Sequence, residues 1–285
     1  MSSVNKIATL LLSSLGALTS TSPVQFATAF SSHPVATATP SVQRLQRSRI
    51  YNSIASEGEH MKILGVCGGI GSGKSTACKV MVDTLGCVGR IDADLLAHDV
   101  YEPGSQSLRD IVAEFGDNIL GSDATIDRKK LGAIVFSDSN AMSRLEQIVW
   151  PHVRTKIEGR LSEIKDQHQK NNDGSQTHDI IIVEAALLLE TNWHDLLDGL
   201  WVIQSSPSVA VRRLKDNRGL TEEEATTRIN AQQKRRGIGN AEEPDKFQQD
   251  IEKGVVTSVI TNDGTLEELQ AALKQALLDP SSFKS

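Results

Sequence analysis

Residues 65–76 read GVCGGIGSGKST, a run so rich in glycine that it suits neither an ordinary helix nor an ordinary strand. Before it, MKILGVC sets Ile63, Leu64, Val66 and Cys67 in a short apolar run, as in a buried parallel strand. After it, STACKVMVDTLG places Ala77, Val80, Met81 and Leu85 near helical spacing, with Gly86 as terminator. The chain therefore reads strand, glycine loop, helix. In that context Gly68, Gly73, Lys74 and Ser75 fit G-x-x-x-x-G-K-[ST], the phosphate-cradling loop. Glycines let main-chain N–H groups turn inward as a nest for phosphate oxygens, and the helix N-terminus adds partial positive charge. Gly68, Gly69, Gly71, Ser72, Gly73, Lys74, Ser75 and Thr76 are thus expected around the phosphates of ATP. Lys74 would reach the β- and γ-phosphates, and the Ser75 hydroxyl would ligate Mg²⁺. The dinucleotide fingerprint G-x-G-x-x-G fails, because Lys74 and Ile70 stand where glycines are required.

A phosphate loop serves switches, motors and transferases alike. The globular part has neither the Asn-Lys-x-Asp signature of GTPases nor the Leu-Ser-Gly-Gly-Gln signature of ABC transporters, which leaves small kinases in front. GCVGRIDADLLAH at 86–98 suggests a second strand carrying Val88 and Ile91, with Asp92 and Asp94 on one face if the chain stays extended. Asp94 would orient an acceptor hydroxyl and take its proton, or else cap a helix beginning at Leu95. A further apolar strand, Ile180 to Val183, ends in Glu184. That acid either holds Mg²⁺ or substrate at the crevice edge or pairs with a neighbouring helix.

Composition bounds the partners. Residues 1–60 sum to +2 and the remainder to −8, and an acidic globular part argues against general nucleic-acid binding. Cys67, Cys78 and Cys87 form neither a disulfide framework nor a zinc site, and Cys67 reads as a small buried side chain at a strand end. Residues 1–56 hold no Asp or Glu. After Lys6, IATLLLSSLGAL is too short to span a bilayer comfortably, and Ala27-Thr28-Ala29 precedes Phe30 as a signal-peptidase site would. A signal peptide at about 1–29 followed by a basic, Ser/Thr-rich transit-like stretch at 30–60 resembles the bipartite presequences of algal plastids. A mitochondrial presequence or a plain leader of a cytoplasmic protein is the alternative, and no membrane span is expected in the mature chain. Nothing in the sequence sets an oligomeric state.

Residues 95–175 read as helices, SLRDIVAEF and SRLEQIVWPHVRTKIEGRLSEI among them, followed by the polar linker KDQHQKNNDGSQTHD. Arg128, Lys129 and Lys130 in this insertion either meet acceptor phosphates or stay solvated. LWVIQS is another strand. The following stretch, with Thr221 and Glu224 as a capping box, gathers Arg212, Arg213, Arg218 and Arg228 in a candidate lid at about 208–247.

GGIGSGKST, IDADLLAH, YEPGSQSLRDIVAEFGDNIL, IDRKKLGAIVFSD, VEAALLLETNW, GLTEEEATTRINAQ and TNDGTLEEL together resemble, in order, the signatures of the dephospho-coenzyme A kinase family, from about Met61 to Leu278. The resemblance implies transfer of the ATP γ-phosphate, with Mg²⁺, to the ribose 3′-hydroxyl of dephospho-coenzyme A. It puts Asp94 where the family has its proposed base. It also shows departures: Asn217-Arg218 where the family commonly has Arg-Asp, Trp150-Pro151 for its His-Pro pair, and Glu184 where Asp is frequent. The expected architecture is an α/β P-loop domain over 61–279, its parallel sheet flanked by helices, with the helical insertion, the lid and a tail at 280–285. A kinase for another small alcohol or nucleotide is the alternative within the class; an ATP-driven switch or assembly factor is the alternative outside it.

Overall fold

The structure, a computed structural model, describes residues 61–171, 178–186, 188–191, 193–236 and 244–284. The presequence expected at 1–60 lies outside these residues. Among them, five strands form one parallel sheet: β1 (Lys62–Gly68), β2 (Cys87–Asp92), β3 (His178–Glu184), β4 (Gly199–Gln204) and β5 (Ser258–Thr261), in the order β2-β3-β1-β4-β5. Successive side chains leave a strand on opposite faces, so a sheet covered on both sides needs apolar residues at every position. β1 and β3 meet that need. Ile63, Cys67, Ile181 and Val183 fall in one core, whereas Leu64, Val66, Ile180 and Ile182 fall in the other.

Each face has its own cover. The loop helix α1 (Lys74–Asp83) buries Ala77, Cys78, Val80 and Met81 beneath the second core, beside Leu269, Leu273 and Leu277 of the C-terminal helix. The first core takes the insertion, which comprises α2 (Ala93–Asp99), α3 (Gln106–Phe115), α4 (Arg128–Ser137) and α5 (Ser139–Asn171). Local chemistry starts these helices where they start. Ser105 Oγ accepts the Leu108 N–H before α3, and the Asp127 carboxylate accepts the Lys129 and Lys130 N–H groups before α4. α5 runs through Pro151, although proline cannot donate to the carbonyl four residues back. Its inward stripe of Leu145, Val149, Val153 and Ile157 is fully buried, and that packing carries the helix past the proline. One place on, His152 meets Asp110 of α3 at 3.0 Å.

After β4 come α6 (Pro207–Arg218), α7 (Glu222–Arg236) and α8 (Pro244–Glu252), so the lid range falls on these helices, with 237–243 outside the described residues. Gly219, at φ +63°, closes α6 in the left-handed region. Thr221 and Glu224 then exchange hydrogen bonds at 2.8 and 3.2 Å, the capping box that opens α7. The last helix is α9 (Leu266–Leu278), with its own capping box on Thr265 and Glu268. Residues 280–284, beyond α9, are docked on the sheet. Phe283 is buried beside Trp201, and the Trp201 indole N–H donates to the Ser282 carbonyl at 2.8 Å. Among the described residues no helix is long and apolar enough to cross a membrane.

Candidate active site

The strand order reverses about β1, and in such a sheet the crevice opens at the carboxyl ends of the strands. A cavity of about 580 Å³ lies there. Every loop residue expected around the phosphates lines it except Ser72. Ser72 is buried instead, and its carbonyl is the anchor: Asn262 Nδ2 donates to it at 2.8 Å and Arg213 Nη1 at 3.3 Å. Gly73 shows why glycine is required in the loop. Its φ is +85°, and a Cβ there would sit 2.3 Å from Asn262 Nδ2.

Lys74 is the hub. Its ammonium donates to Glu184 Oε1 at 2.6 Å and stands 3.9 Å from Asp94 Oδ2. Ser75 Oγ donates to the same Glu184 oxygen at 2.5 Å. Glu184 is only 1% exposed, and Arg90 Nη1 lies 3.3 Å from its other oxygen. A carboxylate buried this deeply is stable only among cations and donors. Burial works against the charge of both groups, yet their neighbours win. Asp94 and Glu184 hold Lys74 above its ordinary value, while Lys74, Ser75 and Arg90 hold Glu184 below its own. Glu184 thus ends its strand at the crevice and, as the second of its two readings has it, pairs with the helix that follows the loop.

The aspartates differ from the extended pair expected. The chain turns into α2 at Ala93, so Asp92 ends β2 while Asp94 sits in the first helical turn. The capping bond belongs to Asp92, whose Oδ1 accepts the Leu95 N–H at 3.0 Å. Asp94 reaches across the crevice, where its carboxylate accepts the Ala186 N–H at 3.0 Å. It therefore stands beside the Lys74 ammonium, on the cavity wall.

The lid arginines divide. Arg213 and Arg218 line the cavity. Arg213 Nη2 also donates to Asn262 Oδ1 at 3.2 Å, so its head is held against the loop. Arg212 and Arg228 are exposed and off the cavity wall. In the insertion, the Lys130 ammonium is engaged by the Leu120 carbonyl at 2.9 Å.

The family model described as dephospho-CoA kinase matches residues 62–239. The chain belongs to the dephospho-CoA kinase family. A dephospho-CoA kinase of Geobacter sulfurreducens is 38% identical over 215 residues, which cover 75% of this chain and 96% of that protein. One from Thermobifida fusca is 35% identical over 212 residues, covering 74% and 92%. The crystal structure of TT1252 from Thermus thermophilus matches with a TM-score of 0.55 at 29% identity, covering 77% of this chain and 97% of that one.

Three residues at this dephospho-CoA kinase site are not singled out by sequence reasoning. Arg90 looks like a polar interruption in a strand. Asn262 is the second residue of the quoted TNDGTLEEL stretch, and Gln232 closes GLTEEEATTRINAQ. The structure brings the last two to the loop, where Gln232 Oε1 accepts the Ile70 N–H and Asn262 bridges Ser72 to Arg213. A buried amide that satisfies a loop carbonyl is visible only once β5 is placed beside β4.

Proposed function

We propose that this chain transfers the γ-phosphoryl group of ATP to the ribose 3′-hydroxyl of dephospho-CoA, giving CoA and ADP, the last step of coenzyme A synthesis. The observation that carries the chemistry is Asp94 standing 3.9 Å from the Lys74 ammonium. A carboxylate there meets an acceptor hydroxyl beside the phosphates that the lysine holds. Phosphoryl transfer passes through a loose transition state, so catalysis consists mainly of positioning and charge stabilisation. The loop N–H groups and Lys74 bind and orient the β- and γ-phosphates. Asp94 orients the 3′-hydroxyl, fixed in turn by the Ala186 N–H, and takes its proton as the bond to phosphorus forms. Arg213 and Arg218 neutralise charge on the transferring group, and the lid they belong to excludes water.

Ser75 and Glu184 are the residues that would hold Mg²⁺. A hydroxyl and a carboxylate already converge within 2.5 Å of each other, and hard oxygen donors of this kind suit that ion. The ion would supply charge neutralisation on the β- and γ-phosphate oxygens. We further propose that residues 1–60 direct the chain to a plastid, on the strength of a signal-like first half and a basic, Ser/Thr-rich second half. Fusing those residues to a fluorescent protein in an algal cell checks this; mitochondrial or cytoplasmic fluorescence would overturn it.

The activity is tested by incubating the chain with ATP, Mg²⁺ and dephospho-CoA and looking for 3′-phosphorylated product. No product from a folded, ATP-binding protein, with turnover of another small alcohol instead, would reassign the acceptor.

A further inference from the structure

Arg90 has no task in the chemistry above, yet with Lys74, Ser75 and Cys78 it is one of the groups around Glu184. It lies two residues before Asp92 on β2, so both side chains leave the same face of the sheet. The β2–β3 register sets Asp92 opposite Glu184 and brings the Arg90 guanidinium to 3.3 Å from Glu184 Oε2. The two carboxylate oxygens have divided roles. Oε1 takes both Lys74 and Ser75, whereas Oε2 is buried and has no hydrogen-bond partner among the described residues, with Arg90 facing it.

The partners of Oε1 are the ones the reaction calls away. Lys74 turns to the phosphates and Ser75 to the metal. Glu184 would then be a charge buried out of water with its main counter-charge gone, a strongly unfavourable arrangement. Arg90 lies off the cavity wall. We propose that Arg90 is a positioning residue for the metal: it holds Oε2, so that Oε1 is presented to Mg²⁺ arriving with the nucleotide, and it remains as the counter-charge once Lys74 has moved. The proposal rests on the reading of Ser75 and Glu184 as the Mg²⁺ donors. Partners that orient a metal-binding carboxylate are commonly worth about 10- to 100-fold in metal affinity.

The test is calorimetric binding of ADP, with Mg²⁺ and with EDTA, to the whole chain and to Arg90→Met, Arg90→Lys and Glu184→Gln. No acceptor is present, so the result does not depend on which alcohol is phosphorylated. Arg90→Met should cut the Mg²⁺-dependent gain in ADP affinity by about tenfold and leave affinity in EDTA within about twofold. Arg90→Lys should recover most of the gain, and adding Arg90→Met to Glu184→Gln should cost nothing further. A gain undiminished in Arg90→Met but lost in Glu184→Gln overturns the role of Arg90 alone. A gain undiminished in Glu184→Gln overturns the metal reading and the proposal with it. Equal losses with Mg²⁺ and with EDTA would show general damage to the nucleotide site and also overturn it. Should Arg90→Met fail to fold by circular dichroism, Arg90→Gln, polar but uncharged, gives the same comparison.

Discussion

The main-chain N–H of Ala186 donates to the Asp94 carboxylate at 3.0 Å, tying the segment after β3 to the first turn of α2 across the crevice. Asp94 is thereby fixed without being spent, since Asp92 performs the helix capping. Asp94→Asn keeps an acceptor for the Ala186 N–H and removes the basic, negatively charged carboxylate, together with its pairing to Lys74 at 3.9 Å. Turnover of dephospho-CoA should fall by roughly 10²- to 10⁴-fold, with ATP affinity and melting temperature near those of the parent. Steady-state kinetics check it. Turnover within tenfold of the parent would make Asp94 a positioning group only.

Glu184 gives the protein's stability a pH signature. Burial pushes its carboxyl up, but Lys74 above all, with Ser75 and Arg90, brings the net value below the ordinary 4.5. A depressed folded value means that the ionised group stabilises the fold above the unfolded value and that this contribution fades as pH falls through the folded value. Melting temperatures measured from pH 6 down to pH 3 should therefore drop more steeply for the parent than for Glu184→Gln. Parallel curves would show that the cluster adds nothing to stability.

Gly68 ends β1 where a Cβ would meet the Ile203 carbonyl oxygen at 2.3 Å and Ser72 Oγ at 2.8 Å. The first obstacle is backbone of the neighbouring strand, which cannot swing aside. Gly68→Ala should cost about 1–3 kcal/mol in urea unfolding and weaken ATP binding as well, because the strain falls at the mouth of the loop. A stable variant with unchanged ATP affinity would show that β1 and β4 can part locally.

Phe283, although only two residues from the chain end, fills the second core beside Trp201 at 5.8 Å between ring centroids, with Lys62 Nζ 4.4 Å from its ring centre. Phe283→Ala should cost about 3 kcal/mol in chemical denaturation and shift the emission of Trp201, whose indole donates to the neighbouring Ser282 carbonyl. Stability equal to the parent would mean that 280–284 hold nothing in place.

What could be read in advance follows from how local each determinant is. The strand, loop and helix around Lys74 are set within about twenty residues, because positive φ demands glycine and the apolar spacing changes across the loop. The arginine and glutamate positions Arg213, Arg218 and Glu184 reach the cavity as expected. The exchange of duties between Asp92 and Asp94 was not readable, since either residue can cap and only the packing of α2 decides where the chain turns. Arg90, Gln232 and Asn262 join residues 94, 162 and 190 positions away, a relation fixed by sheet order and lid docking and not by spacing. The docking of 280–284 is of the same kind, because a short polar segment gives no sign that a tryptophan awaits it.

The tip of the phosphate loop carries an apolar side chain, Ile70, that packs against the small cluster of Ala210, Leu214, Ala225 and Ile229 between α6 and α7. The helices α6 and α7 and the loop are therefore joined by apolar contact. Parting α6 and α7 from the loop would wet Ile70 and the side of the cluster it covers, so the parted form carries the larger heat capacity. Opening would become less costly on cooling, as the drive to keep the cluster dry weakens. Temperature is thus a lever on the contact between these helices and the phosphate loop.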